Sequence, residues 1–138
     1  MINYSINNTE HKVTFCKSNK LRGISDSIES VNSDKNILLI YDDKIEKRIV
    51  KSIFSELKIS GCRIYSLQIK GDKFNKNEKF LFKILDFLIK HKFTKKSVIF
   101  SCGGGVVGDV AALASSLYLR GTIYFSIPST MTAVVDSA

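Results

Sequence analysis

The stretch Asn36–Tyr41, NILLIY, is a nearly unbroken apolar run. A strand of this kind is apolar on both faces, so both must be covered, as in a parallel sheet lying between layers of helices. Three further runs behave similarly: CRIYSLQI at 62–69, SVIFS at 97–101 and TIYFSI at 122–127, with Pro128 closing the last. Between them, apolar residues recur at helical spacing. Ile45, Ile49, Ile53 and Leu57 form one such face, entered through Asp42 and Asp43 and left at Gly61, where a C-terminal cap fits. Phe80, Leu81, Ile84, Leu85 and Leu88 form a second, and Val110, Leu113, Ala114 and Leu117 a third, in which the small residues Ala111, Ala112, Ala114, Ser115 and Ser116 allow close packing. Strands alternating with helices predict an α/β fold, a mostly parallel sheet flanked by helices. Upstream, residues 2–7 and 11–16 read as two short strands around NNTE and predict an N-terminal hairpin. Leu21, Ile24, Ile28 and Val31 predict a short helix. No repeat or low-complexity linker divides the 138 residues, which read as one domain.

Composition excludes several classes of function. The net charge is +8, and Arg120 is the only basic residue after Phe100. The lysines fall in amphipathic stretches such as NKNEKFLFKILDFLIKHKFTKK, which read as solvated helix faces. No basic stripe with stacking aromatics and no reading-helix motif accompanies them, so nucleic acid is not an expected partner. No apolar run is long enough to span a membrane, and MINYSINNTEHK is not a secretory signal, so the expected location is cytoplasmic. Cys16, Cys62 and Cys102 are widely spaced and read as thiols rather than as a disulfide framework. His11 and His91 have no ligand-spaced partners, so no metal site is expected in this chain, and no Ser/His/Asp nucleophile set can be assembled.

The chemistry concentrates after Phe100. Gly103, Gly104 and Gly105 lie between a strand and a helix. Such a turn presents backbone N–H groups beside the positive end of a helix dipole, and the missing side chains admit a phosphate or pyrophosphate; a generic tight turn is the other reading. The pattern is neither Gly-x-Gly-x-x-Gly nor a Walker loop. Asp109 either stabilises the helix dipole or accepts hydrogen bonds from a ligand. Asp42, at the carboxyl end of a strand, fits a ribose-binding acid and also a cap. Arg120 is either a phosphate clamp or a structural partner of Asp109 or Asp136. Ser129 and Thr130 follow the last strand and can donate hydroxyls to a ligand or cap a helix.

Taken in order, GGGVVGD, YLRG, PST and VDS resemble the 3-dehydroquinate synthase family. ILLIYDD is similar to that family's adenosine-side strand, and KGDKFNKNE to its Gly-Glu-x-x-x-Lys loop, with Asp72 standing for the longer acid. The resemblance implies a Rossmann-like NAD-binding domain. It implies an enzyme, a lyase of the shikimate pathway and so of aromatic amino acid biosynthesis, converting 3-deoxy-D-arabino-heptulosonate 7-phosphate to 3-dehydroquinate and phosphate. In that family an alcohol is transiently oxidised by NAD, phosphate is eliminated, the ketone is reduced, and the ring reopens and closes by an aldol step. A divalent metal, zinc or cobalt, polarises the reacting oxygen.

By the same resemblance Asp42 binds the adenosine ribose, Asp72 and Lys76 contact the cofactor, and Gly103, Gly104 and Gly105 hold pyrophosphate. Asp109 approaches the nicotinamide, while Ser129 and Thr130 line the cofactor. Arg120 binds the substrate phosphate, and Asp136 binds substrate hydroxyls or supports the nicotinamide. The family continues with a catalytic lysine and with a helical domain whose glutamate and two histidines bind the metal. Residues 1–138 are therefore expected to be an NAD-binding N-terminal domain, a truncated piece that is inactive alone, whose partners are a phosphorylated sugar acid, the absent C-terminal domain and, at full length, a second copy in a homodimer. Two alternatives are another sugar-phosphate cyclase, such as one making 2-deoxy-scyllo-inosose, since Ala138 departs from the usual serine, and a non-catalytic nucleotide-binding module.

Overall fold

The structure, a computed structural model, describes residues 2–6, 9–13, 28, 34–59 and 61–136. Two strands, β1 (Ile2–Ile6) and β2 (Thr9–Val13), pair antiparallel, Ile2 opposite Val13 and Ile6 opposite Thr9. The expected hairpin is present, but its second strand starts two residues earlier than the sequence suggested, taking in Thr9 and Glu10. Of the expected helix over Leu21–Val31, Ile28 alone is described; it is helical and buried, and the remainder lies outside the described residues.

Four parallel strands make the main sheet: β3 (Asn36–Asp42), β4 (Arg63–Ile69), β5 (Val98–Gly103) and β6 (Ile123–Pro128), in the order β4-β3-β5-β6. They alternate with α1 (Lys47–Ile59), α2 (Glu78–Lys90) and α3 (Gly105–Leu117), and a short α4 (Met131–Asp136) follows β6. The chain steps outward from β3 to β4, then crosses back over β3 to β5 and on to β6. Right-handed crossovers in opposite directions place helices on opposite faces. Accordingly Ile37 and Leu39 pack with Ile53 and Leu57 of α1, while Leu38 and Ile40 pack with Ile84 and Leu88 of α2 and with Val107, Ala111 and Ala114 of α3. The unbroken apolar run of β3 is thus covered on both sides, as its composition requires.

Helix ends carry local reasons. Asn77 Oδ1 accepts the Phe80 N–H at 3.2 Å and caps α2, and His91 closes that helix. Gly61, with φ of 67°, ends α1 and donates its N–H to Lys58 O. Two expected helix faces need correction. α1 starts only at Lys47: Asp42 is the last residue of β3, Asp43 lies in the turn that follows, and no acid occupies the first turn of the helix; Ile49 is exposed. On α3, Leu113 and Leu117 point outward, and the buried face carries Val107, Gly108, Val110, Ala111, Ala114 and Ser115. Small residues, not the leucines, face the sheet because they let the helix approach it closely. Tyr118 then donates to Phe93 O at 2.8 Å and so ties the end of α3 to the loop after α2. Leu119, Arg120 and Gly121 all have positive φ and reverse the chain into β6.

Candidate functional site at the carboxyl ends of the strands

The change of direction between β3→β4 and β4→β5 makes a switch point between β3 and β5. In open parallel sheets the ligand crevice lies there, outside the carboxyl ends of the strands. At that place β3 ends on Asp42 and β5 on Gly103. Gly104 caps α3 with its backbone alone: among the described residues no side chain caps this end, and no acid lies in the first turn. The positive end of α3 is therefore left for something else to satisfy.

Around this end the structure gathers most of the residues that the sequence singles out. Asp42 is buried; its Oδ1 accepts the Lys44 N–H at 3.1 Å and the Gly71 N–H at 3.3 Å. It caps a turn and a neighbouring loop, not the helix. Its Oδ2 lies against Gly71, where the Cβ of any other residue would overlap it. Gly71 is thus a site residue that reading the 70–78 stretch as one polar loop passed over; the Lys-Gly-Asp triplet was the available signal. Asp72 Oδ1 accepts the Phe74 N–H at 3.0 Å and starts a 3-10 turn, Lys73–Asn75, inside that loop. The turn delivers Lys76, whose Nζ stands 2.6 Å from Asp109 Oδ2. Asp109 is therefore paired across the mouth of the site with Lys76, not with Arg120. On the other side Ser129 donates its N–H to Gly103 O at 2.8 Å, and Thr130 caps α4 by accepting the Ala133 N–H at 3.1 Å. A Cβ on Gly104 would sit 3.5 Å from Thr130 Cγ2, so Thr130 overhangs the glycine turn.

Cys102 lies in the sheet just below. Burial, and then the nearby Asp42 charge, push its thiol up to about 11, so it is a packed neutral group rather than a nucleophile. Arg120 is not part of this assembly. It precedes β6, whose first residue Ile123 pairs with Val98 at the start of β5, whereas the glycine turn lies at the opposite end, roughly five strand residues or ~17 Å away. It is exposed, and among the described residues it pairs with no carboxylate. Asp136 is the last residue of α4; its side chain lies outside the described residues.

The amino-terminal end of the sheet holds a groove of about 480 Å³ lined by Asp34, Lys35, Asn36, Gly61, Cys62 and Arg63. Its acid is already engaged: Asp34 accepts hydrogen bonds from Ser97, Thr94 and the Asn36 N–H. That end is a structural tie.

A parallel α/β domain with an uncapped, glycine-entered helix at its switch point belongs to the nucleotide-binding class of folds. Comparison with known proteins makes this specific. Residues 66–138 match the family model of the 3-dehydroquinate synthase N-terminal domain, and the chain belongs to that family. The 3-dehydroquinate synthase of Clostridium kluyveri is 30% identical over 137 residues, which is 99% of this chain and 38% of the relative. That of Leptospira interrogans is 35% identical over 132 residues, 95% of this chain and 36% of the relative. The chain thus spans a little over a third of the length of these curated relatives. Among solved structures, a 2-deoxy-scyllo-inosose synthase complexed with carbaglucose-6-phosphate, NAD+ and Co2+ superposes with a TM-score of 0.69 at 23% identity, covering 80% of this chain and 32% of that one. A 2-epi-5-epi-valiolone synthase from Streptomyces hygroscopicus with NAD+ and Zn2+ bound gives 0.73 at 18% identity, over 97% and 37%. These likenesses show the same fold.

Proposed function

We propose that this chain is the cofactor-binding part of a 3-dehydroquinate synthase, a cytoplasmic lyase that works as a homodimer. The observation that carries the reading is the end of α3: a helix N-terminus entered through glycines, bare of side-chain caps, at the switch point of a parallel sheet. Bound NAD supplies a hydride acceptor there. The chain's own residues do the holding. Gly103–Gly105 let the pyrophosphate reach the first-turn amides. Lys76 adds a positive charge at the rim, and Asp109, once Lys76 turns to the phosphates, accepts hydrogen bonds from the nicotinamide side. Asp42 offers its second carboxylate oxygen to a ribose hydroxyl, with Asp72 beside it, and Ser129 and Thr130 close the wall.

As the family resemblance implies, the zinc or cobalt ion would be held by a glutamate and two histidines of the family's helical domain and not by the described residues. Arg120 would bind the phosphate of the sugar acid, and Asp136, beyond the opposite end of β6, would bind substrate hydroxyls or support the nicotinamide. Lying at the far end of the sheet, Arg120 cannot share a ligand with the glycine turn of its own chain, so its phosphate must be presented by surfaces outside this chain. The fold shared with 2-deoxy-scyllo-inosose synthase favours, as a second reading, a related sugar-phosphate cyclase acting through the same cofactor site.

Calorimetric titration of the 138-residue chain tests the cofactor reading. ADP and NAD are expected to bind with Kd on the order of 0.1–1 mM, weak because this chain spans only a little over a third of its relatives' length and supplies only part of the site's enclosure. No heat with either, or tighter binding of a non-nucleotide anion such as citrate, would overturn it.

A further inference from the structure

Ser101 interrupts β5, which otherwise runs apolar to its glycine, and it is 1% exposed. A buried hydroxyl without a partner is costly, so its environment is informative. Ser101 Oγ lies 2.7 Å from the hydroxyl of Tyr124 on β6, and that same hydroxyl lies 3.2 Å from the carbonyl oxygen of Gly108 on α3. A carbonyl only accepts, and a tyrosine has one proton to give. The direction of the relay is therefore fixed: Ser101 donates to Tyr124, and Tyr124 donates to Gly108. Gly108 is buried and lacks a side chain, so the phenol can reach its carbonyl. Its N–H bonds in turn to Gly104 O, the cap of the helix. One hydroxyl thus fastens the residue that closes the first turn of α3, immediately before Asp109.

We propose that Tyr124, seated on Ser101, is a positioning residue for the anion-binding turn. By holding Gly108 to the sheet it fixes the aim of the first-turn amides of α3. This rests on the reading of that turn as a pyrophosphate site. Neither hydroxyl touches the ligand; both act through the helix.

The test compares the 138-residue chain with Tyr124→Phe and with the double variant Ser101→Ala/Tyr124→Phe, measuring thermal unfolding and ADP affinity in each. Tyr124→Phe strands the Ser101 hydroxyl, so it should lower the unfolding temperature and weaken ADP roughly three- to tenfold, the scale of one neutral hydrogen bond. The double variant removes the stranded hydroxyl and should recover most of the stability, while ADP stays weak because the helix is still untethered. Affinity that follows stability through all three proteins would make the relay structural only and overturn the proposal. So would wild-type affinity in Tyr124→Phe. Should the wild-type chain bind no ADP, the pyrophosphate reading fails first and the proposal falls with it.

Discussion

Gly103 and Gly104 are neighbours that the fold needs for different reasons. A Cβ on Gly103 would sit 2.8 Å from Val107 Cβ, inside the packed core, whereas one on Gly104 would meet only Thr130, at 3.5 Å. Gly103→Ala should therefore destabilise the chain by about 1–3 kcal/mol through overpacking. Gly104→Ala should cost less than about 1 kcal/mol in urea unfolding yet abolish measurable ADP binding, because its methyl group stands at the mouth of the turn. Equal losses of stability in the two variants would contradict this division. The sequence showed three glycines and no means of ranking them; the ranking comes from Val107, whose approach depends on how closely α3 packs on β5. The same holds for Asp42. From sequence it was a ribose ligand or a cap, and the structure shows it capping a turn that the sequence had merged into a helix, with one carboxylate oxygen used for Lys44 and Gly71.

At the scale of elements, the strands and helices were legible because burial on both faces and helical spacing leave few alternatives. On α3 the small residues were legible as allowing close packing, and Ala111, Ala114 and Ser115 do face inward; only Leu113 and Leu117, read as part of the same stripe, are exposed. Ties between elements were less visible, since they join residues far apart in sequence. Asp34 is the clearest. It precedes β3 and accepts from Thr94 Oγ1 at 2.6 Å and Ser97 Oγ at 2.5 Å, ahead of β5. Burial pushes its carboxyl up, but the bonds from Ser97, Thr94 and Asn36 outweigh this and hold it below its ordinary value. A depressed folded-state value means stability that is present above the unfolded value, about 3.9, and lost as pH falls through the folded one. Unfolding midpoints measured from pH 6 down to pH 2 should fall in the wild-type chain. Asp34→Asn should start lower at pH 6, by about 1–2 kcal/mol, and fall less steeply, because an amide carries no charge to lose. Parallel pH profiles would rule the tie out as a source of acid sensitivity.

At the scale of the molecule, the order β4-β3-β5-β6 decides where a ligand can sit, and that order is invisible in a list of strands. Asp42, the glycines, Asp109, Ser129 and Thr130 were nonetheless legible as candidates from their places at or just after strand ends, and Asp72 and Lys76 from the family resemblance alone; a parallel sheet gathers those ends together. Arg120 follows a helix instead, which in this topology sends it to the amino-terminal end of the sheet. The proposed cofactor would place its diphosphate at the start of α3, between β3 and β5. Amide chemical-shift mapping of the 138-residue chain with NAD tests it directly. The expected result is that the largest shifts fall on Gly104–Asp109, with Gly71 and Thr130 following and the Lys35–Arg63 groove unmoved. Shifts centred on that groove, with the glycine turn silent, would contradict it.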